Sequence, residues 1–195
     1  MGMKETFIEL YNQYITRPGS PELLVWLQKT DFFTAPASTR YHLACDEGLV
    51  THSVNVFQYM HEHLFDAESD NPESFALCGL LHDLCKANFY KRSSRNVKNE
   101  QGKWEAVPYF TIEDQYPYGH GEKSVFLIER FVRLKPAEAI AIRWHMGGFD
   151  DTAKAGGYSV SQTYEKYPLA VKLHIADVAA TYLIEGAQNG NETAK

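Results

Sequence analysis

The chain has 195 residues, 44% hydrophobic and 23% charged, which fits one globular domain with a substantial core. Lys and Arg total 19 against 25 Asp and Glu, a formal net charge of −6 with no basic block, which argues against a long nucleic-acid footprint. No apolar stretch approaches the roughly 18 residues of a membrane span, so no membrane partner is expected. In chain order, Phe7, Leu10, Tyr11 and Tyr14 recur at helical spacing and predict a helix over 4–15. Ser20 and Pro21 form an N-cap and first-turn pair that starts a short helix through Trp26 and Leu27. Residues 31–38 connect it to a helix over about 49–64. That helix carries two apolar stripes, Val50, Val54, Phe57, Leu64 and Leu49, Val56, Tyr59, so it is central to its bundle. Residues 73–87 are more apolar still and predict the most deeply buried helix.

The character changes over 88–118. Two β-compatible runs around the turn Asn99–Gly102 predict a hairpin at about 90–112, inserted between helices as a lid. Helices resume over 122–134, 136–146 and 168–184. Pro136 and Pro168 suit first-turn positions, and Gly147, Gly148 and Gly186 suit C-terminal stops. Residues 148–159 read as a Gly-rich loop and 187–195 as an exposed tail. The expected fold is all-α, a single domain over 1–195. MGMKETFIEL lacks the apolar core of a signal peptide, and Cys45, Cys78 and Cys85 show no CxxC spacing. The expected compartment is therefore cytoplasmic. Cys78 and Cys85, two helical turns apart, read as small core residues rather than a zinc pair.

Polar residues interrupt these apolar helices. His82 and Asp83 stand side by side in FALCGLLHDLC, where burial is costly unless both groups are compensated. His52 lies in GLVTHSVNVF, His120 in YGHGEKS, His145 ends IAIRWHM, and Asp177 lies in LHIADVAATYL. Taken singly, His52 or His145 is more often a satisfied core histidine, and Asp177 can pair with Arg143. The adjacent His82 and Asp83 shift the balance for the set. Four imidazoles and two carboxylates brought together make a site for one or two divalent ions. His174, one turn before Asp177, is a further candidate or a supporting partner. His61 and His63 end a helix and read as solvated.

The order His52, then His82-Asp83, then Asp177 resembles the HD-domain metal-dependent phosphohydrolase superfamily. GLVTHSVNV, LLHDLCK and LHIADVAATYL carry the resemblance, which covers roughly residues 40–185 and implies an HD-domain helical bundle. His120 and His145 resemble the extra pair of the subset that holds two metals. Within the superfamily the chain is similar to the HD portion of bacterial 3′–5′ exoribonucleases, where His42 also falls on a recurrent histidine. Asp46-Glu47 stands where glycine is more usual, and the hairpin is an addition, which points away from polynucleotides. The resemblance implies that Asp83 bridges two ions. His52, His82 and Asp177 would complete one shell, and His120 and His145 would serve the other. The ions would come from Mn, Fe, Ni, Co, Mg or Zn. Asp83 and Lys86 would be catalytic, with Lys86 on a phosphate of a small phosphorylated substrate, a nucleotide or short oligonucleotide. Weaker substrate contacts are His42, Lys123, Arg143 and Tyr118, with Trp104, Tyr109, Phe110 and Tyr116 as stacking candidates. Two alternatives stand beside this reading: a mixed-valent di-iron oxygenase on the same scaffold, and a non-catalytic nucleotide-binding regulatory module.

Overall fold

The computed structural model describes residues 2–186, so the tail expected over 187–195 lies outside the described residues. Within them the chain is mostly helical, with nine α-helices and one two-stranded antiparallel sheet. The helices are α1 (Met3–Tyr14), α2 (Ser20–Leu27), α3 (Gly48–His63), α4 (Pro72–Leu81), α5 (His120–Glu129), α6 (Pro136–Trp144), α7 (Asp151–Lys154), α8 (Ser159–Lys166) and α9 (Pro168–Ala179). Proline occupies the first turn of α2, α4, α6 and α9, where its missing N–H costs nothing. None of these helices is long and apolar enough to cross a membrane.

The two stripes of α3 explain its place. It packs on α1, α4 and α9, and α6 packs on α9 and α5. The core between them holds Phe7, Leu27, Phe32, Leu49, Phe57 and Leu80, all at 2% exposure or less. Burying side chains of this size contributes about 1.5–3 kcal/mol each. Gly79 sets the approach of α3 and α4. A Cβ there would lie 2.8 Å from the Phe57 Cα and 2.9 Å from its Cβ. Gly79→Ala is expected to push the helices apart and cost about 1–3 kcal/mol, read by chemical denaturation. An unchanged midpoint would show that the crossing yields freely.

Three expected helices end differently, the first being that expected over 122–134, which starts at His120 and stops at Glu129. The helix expected over 73–87 stops at Leu81. His82 caps it, Asp83 takes φ −99° and ψ 20°, and Leu84–Lys86 form a 3₁₀ turn. Residues three apart nearly eclipse in a 3₁₀ turn, so Lys86 sits directly over Asp83. The helix expected over 168–184 is α-helical to Ala179 and π-helical from Ala180 to Glu185. The π turn brings Glu185 inward at 1% exposure. The Gly-rich stretch 148–159 contains α7, whose first turn is capped when Asp150 Oδ1 accepts from the Thr152 N–H at 2.8 Å.

The hairpin forms where expected, as β1 (Tyr90–Lys98) and β2 (Trp104–Ile112), in register from Tyr90↔Ile112 to Lys98↔Trp104. Gly102 takes φ 75° in its turn, a conformation that favours glycine. Its outer part is exposed. Its base is tied to the body by the Tyr90 hydroxyl, which donates to the Ala37 carbonyl at 3.2 Å.

A buried ion network joins α4 and α6 to the loop after α1. Arg17 donates to Glu138 at 2.8 and 2.9 Å and to Glu73 at 3.0 Å. Ser74 Oγ donates to Glu138 at 2.6 Å. Glu138 is fully buried.

Candidate metal centre

All six residues expected as metal ligands meet at one end of the bundle. His52 comes from α3, His82 and Asp83 from the end of α4 and the residue after it, and His120 from the first position of α5. His145 follows α6, and Asp177 lies in α9. His52 Nε2 lies 3.2 Å from Asp177 Oδ1 and 3.3 Å from His82 Nε2. Asp83 is the hub. Its Oδ2 is 3.7 Å from both His52 Nε2 and His82 Nε2. Its Oδ1 is 2.7 Å from His120 Nε2 and 3.6 Å from His145 Nε2.

The local fold aims the rings. His82 Nδ1–H donates to the Gly79 carbonyl at 3.0 Å, and His145 Nδ1–H donates to the Ile142 carbonyl at 2.7 Å. Each contact leaves an Nε2 lone pair turned toward the centre. His174 supports this end of α6, its Nδ1–H donating to the His145 carbonyl at 2.7 Å. It is a supporting partner rather than part of the cluster.

The electrostatics show strong demand for positive charge. Burial resists ionisation of Asp83, but the Lys86 ammonium and the neighbouring His82 and His120 hold its carboxyl well below the usual range. Burial likewise opposes Asp177, and the hydrogen bond from His52 outweighs it. His52 loses to burial yet is raised to about 9 by Asp177 and Glu185. Burial also works against a charged His120, but Cys85 and Asp83 raise it to about 10. Burial dominates at His82 and lowers it to about 3. A divalent cation answers the same demand without charging the imidazoles.

The donors fit such an ion. His145 Nε2 is fully buried and has no hydrogen-bond partner among the described residues. An orphan of this kind needs an explanation, and a cation is one. These buried groups could hold a metal ion: His52, His82 and Asp177 in one triad, His82, Asp83 and His145 in another. Mixed imidazole and carboxylate donors suit Mn, Fe, Co, Ni or Zn.

Sequence reasoning missed two neighbours. Glu185 Oε1 lies 3.0 Å from His52 Nδ1 and accepts from Asn55 Nδ2 at 3.0 Å. A carboxylate on the far nitrogen fixes the tautomer and orientation of a ligand histidine. The signal was present: Glu185 is eight residues after Asp177, about two turns, at the end of an apolar run. Glu185→Gln is expected to weaken Mn²⁺ affinity by roughly 10–100-fold in calorimetric titration. Unaltered affinity would remove its supporting role. Cys85, expected as a core residue, places its Sγ 3.3 Å from His120 Nδ1.

The cluster opens into a cavity of about 800 Å³, whose wall includes His42, His52, Asp83, Lys86, His120 and Asp177. The His42 ring lies tilted against that of His52, 4.8 Å between ring centroids. Lys86 Nζ lies 2.6 Å from Asp83 Oδ2. The structure does not bring Lys123, Arg143 or Tyr118 to this wall. Lys123 is buried on Asp114 at 2.5 Å. Arg143 is held by Glu122 and Asp150 and lies over the Trp144 ring at 3.8 Å. Tyr118 packs on Phe126. Trp104, Tyr109, Phe110 and Tyr116 lie outside the wall too; its aromatic members are Tyr41, Tyr90, Phe149 and Tyr182. Only Tyr90 and Ile112, at the hairpin base, represent the expected lid. Comparison with family models, curated proteins and solved structures finds no match for the chain.

Proposed function

We propose that this chain is a metal-dependent phosphohydrolase acting on a small phosphorylated substrate, a nucleotide or short oligonucleotide. The observation that carries the reading is the convergence on Asp83. Four imidazole nitrogens lie within 3.7 Å of its two carboxylate oxygens, with a lysine ammonium at 2.6 Å, on the wall of an open cavity. Asp83 would be shared between two ions. His52, His82 and Asp177 would complete one ligand set, and His120 and His145 the other. When bound, the ions supply a water acidified toward neutrality and positive charge for the phosphoryl oxygens. The resemblance of the His52, His82-Asp83 and Asp177 order to the HD-domain superfamily points the same way.

The chain's own residues do the rest. Asp83 holds Lys86 at the cavity wall, so the ammonium meets an entering phosphate with little reorganisation. Burial opposes its charge, but the Asp83 carboxylate outweighs burial and holds the Lys86 pKa above its ordinary value. The rings of Tyr41, Phe149 and Tyr182 offer apolar faces for a base. A cavity of about 800 Å³ accommodates a ligand of nucleotide size.

The test is hydrolysis by the purified chain across phosphomonoesters and phosphodiesters, with Mn²⁺, Co²⁺, Ni²⁺, Mg²⁺ or Fe²⁺ added in turn. Metal-dependent product release is expected with at least one nucleotide. A metal-loaded chain inactive on the whole panel would count against the reading.

A further inference from the structure

By spacing alone Cys85 is a small core residue, and its 3% exposure agrees. Its surroundings do not. The 3₁₀ turn is pinned when the Cys85 N–H donates to Ser124 Oγ at 3.0 Å, and the side chain then faces His120. Sγ lies 3.3 Å from His120 Nδ1 and 3.8 Å from Nε2. A sulfur in line with the Nδ1 bond direction would be much farther from Nε2 than from Nδ1. The two distances are close, so the sulfur stands beside the ring rather than in that hydrogen-bonding direction. It borders the space on that side of the ring, within 3.8 Å of both nitrogens and nearer Nδ1.

That space is already bounded by ligand atoms. Asp83 Oδ1 is 2.7 Å from His120 Nε2, and the donor atoms of Asp83, Cys85 and His120 all lie within 4.8 Å of one another. The fully buried His145 Nε2, without a hydrogen-bond partner among the described residues, is 3.6 Å from the same Asp83 oxygen. Zinc bonds of about 2.3 Å to sulfur and about 2.0 Å to nitrogen or oxygen place tetrahedral ligand atoms about 3.3–3.6 Å apart. Within the set, Asp83 Oδ1 at 2.7 Å and Cys85 Sγ at 3.8 Å from His120 Nε2 lie on either side of that range. At the other end of the centre, His52, His82 and Asp177 offer only nitrogen and oxygen.

We propose that Cys85 is a metal ligand: with Asp83 and His120 it holds a thiophilic divalent cation of the zinc class at the His120 end of the centre. Binding releases the thiol proton to solvent, because the thiolate is the ligand. The two ends of the centre therefore prefer different ions, the sulfur end soft and the His52 end harder. The proposal rests on the cluster being a metal centre and is independent of which reaction it performs.

Co²⁺, an optical stand-in for Zn²⁺, tests it on the full chain. The wild type and Cys45→Ser are expected to show a near-ultraviolet sulfur-to-cobalt band on titration. Cys85→Ser, close in volume, is expected to lose the band and to weaken Zn²⁺ binding by more than the roughly 10–100-fold that loss of a supporting contact costs. Its Mn²⁺ affinity should change far less, since nitrogen and oxygen donors suffice for that ion. Bound Co²⁺ without the band, a band that survives Cys85→Ser, or no Co²⁺ binding would each overturn the assignment. A band in a chain that hydrolyses no phosphoester would remove the hydrolase reading and leave Cys85 a ligand. Mn²⁺-dependent hydrolysis without the band would do the reverse.

Discussion

Asp83→Ala is expected to abolish metal-dependent phosphoester hydrolysis, lowering turnover by about 10³-fold or more while the chain stays folded. Among the six expected ligands, every histidine meets this one side chain, and so does Lys86. His120 and Lys86 lie at 2.7 and 2.6 Å, His145 at 3.6 Å, and His52 and His82 at 3.7 Å. Without the carboxylate no single group can join the His52 end to the His120 end. The fold has other supports. The Phe7, Leu27, Phe32 and Phe57 core does not include Asp83, and α4 already ends at Leu81. Thermal unfolding of the variant separates loss of the site from loss of the fold. A folded variant that keeps activity within about ten-fold of wild type would be incompatible with the hub role.

The largest stability effect is expected away from the site, at Glu138. Removing one partner of a buried ion pair leaves the other uncompensated and costs about 3–5 kcal/mol. Glu138→Ala would take from Arg17 the more buried of its two carboxylate partners, leaving Glu73, and from Ser74 its 2.6 Å bond, in the join between α4, α6 and the segment after α1, so the lower end of that range is expected. Domains are stable by about 5–15 kcal/mol, so this approaches unfolding. The pH dependence has a definite sign. Burial raises the Glu138 pKa, but hydrogen bonds from Arg17, Ser74 and the Lys135 N–H lower it further, so the folded value lies below the ordinary one. Its contribution is present above the usual glutamate pKa of about 4.3 and is lost as pH falls through the lower folded value. Wild type should lose stability on acidification below that point more steeply than Glu138→Gln, as read from denaturation midpoints between neutral and acid pH. Parallel curves would contradict the depressed pKa.

Much of this architecture was legible because it is local. The two stripes of α3 and the turn Asn99–Gly102 are patterns of neighbouring residues, and both elements form within a residue or two of expectation. The candidate ligands were legible for another reason. His82 and Asp83 are costly in an apolar run, so the cost itself marks them. What was not legible depends on partners far away in sequence. Lys123 and Arg143 carried charge without showing that Asp114, Glu122 and Asp150 neutralise it. The break after Leu81 comes where Ser124 receives the Cys85 N–H, a contact across 39 residues. Glu185 needed the π turn to face inward, and Cys85 needed the 3₁₀ turn to face His120. The aromatic wall came from Tyr41, Phe149 and Tyr182 rather than the hairpin, because nothing local says which loop borders a cavity.

The most direct test of the centre is a count of bound ions. Purified chain equilibrated with Mn²⁺ at neutral pH, freed of excess metal and analysed for metal per chain, is predicted to carry one or two ions. Asp83→Ala and His82→Ala are predicted to carry fewer while retaining the wild-type far-ultraviolet spectrum. Wild-type chain that binds no ion would contradict the account, as would an ion content left unchanged by both substitutions.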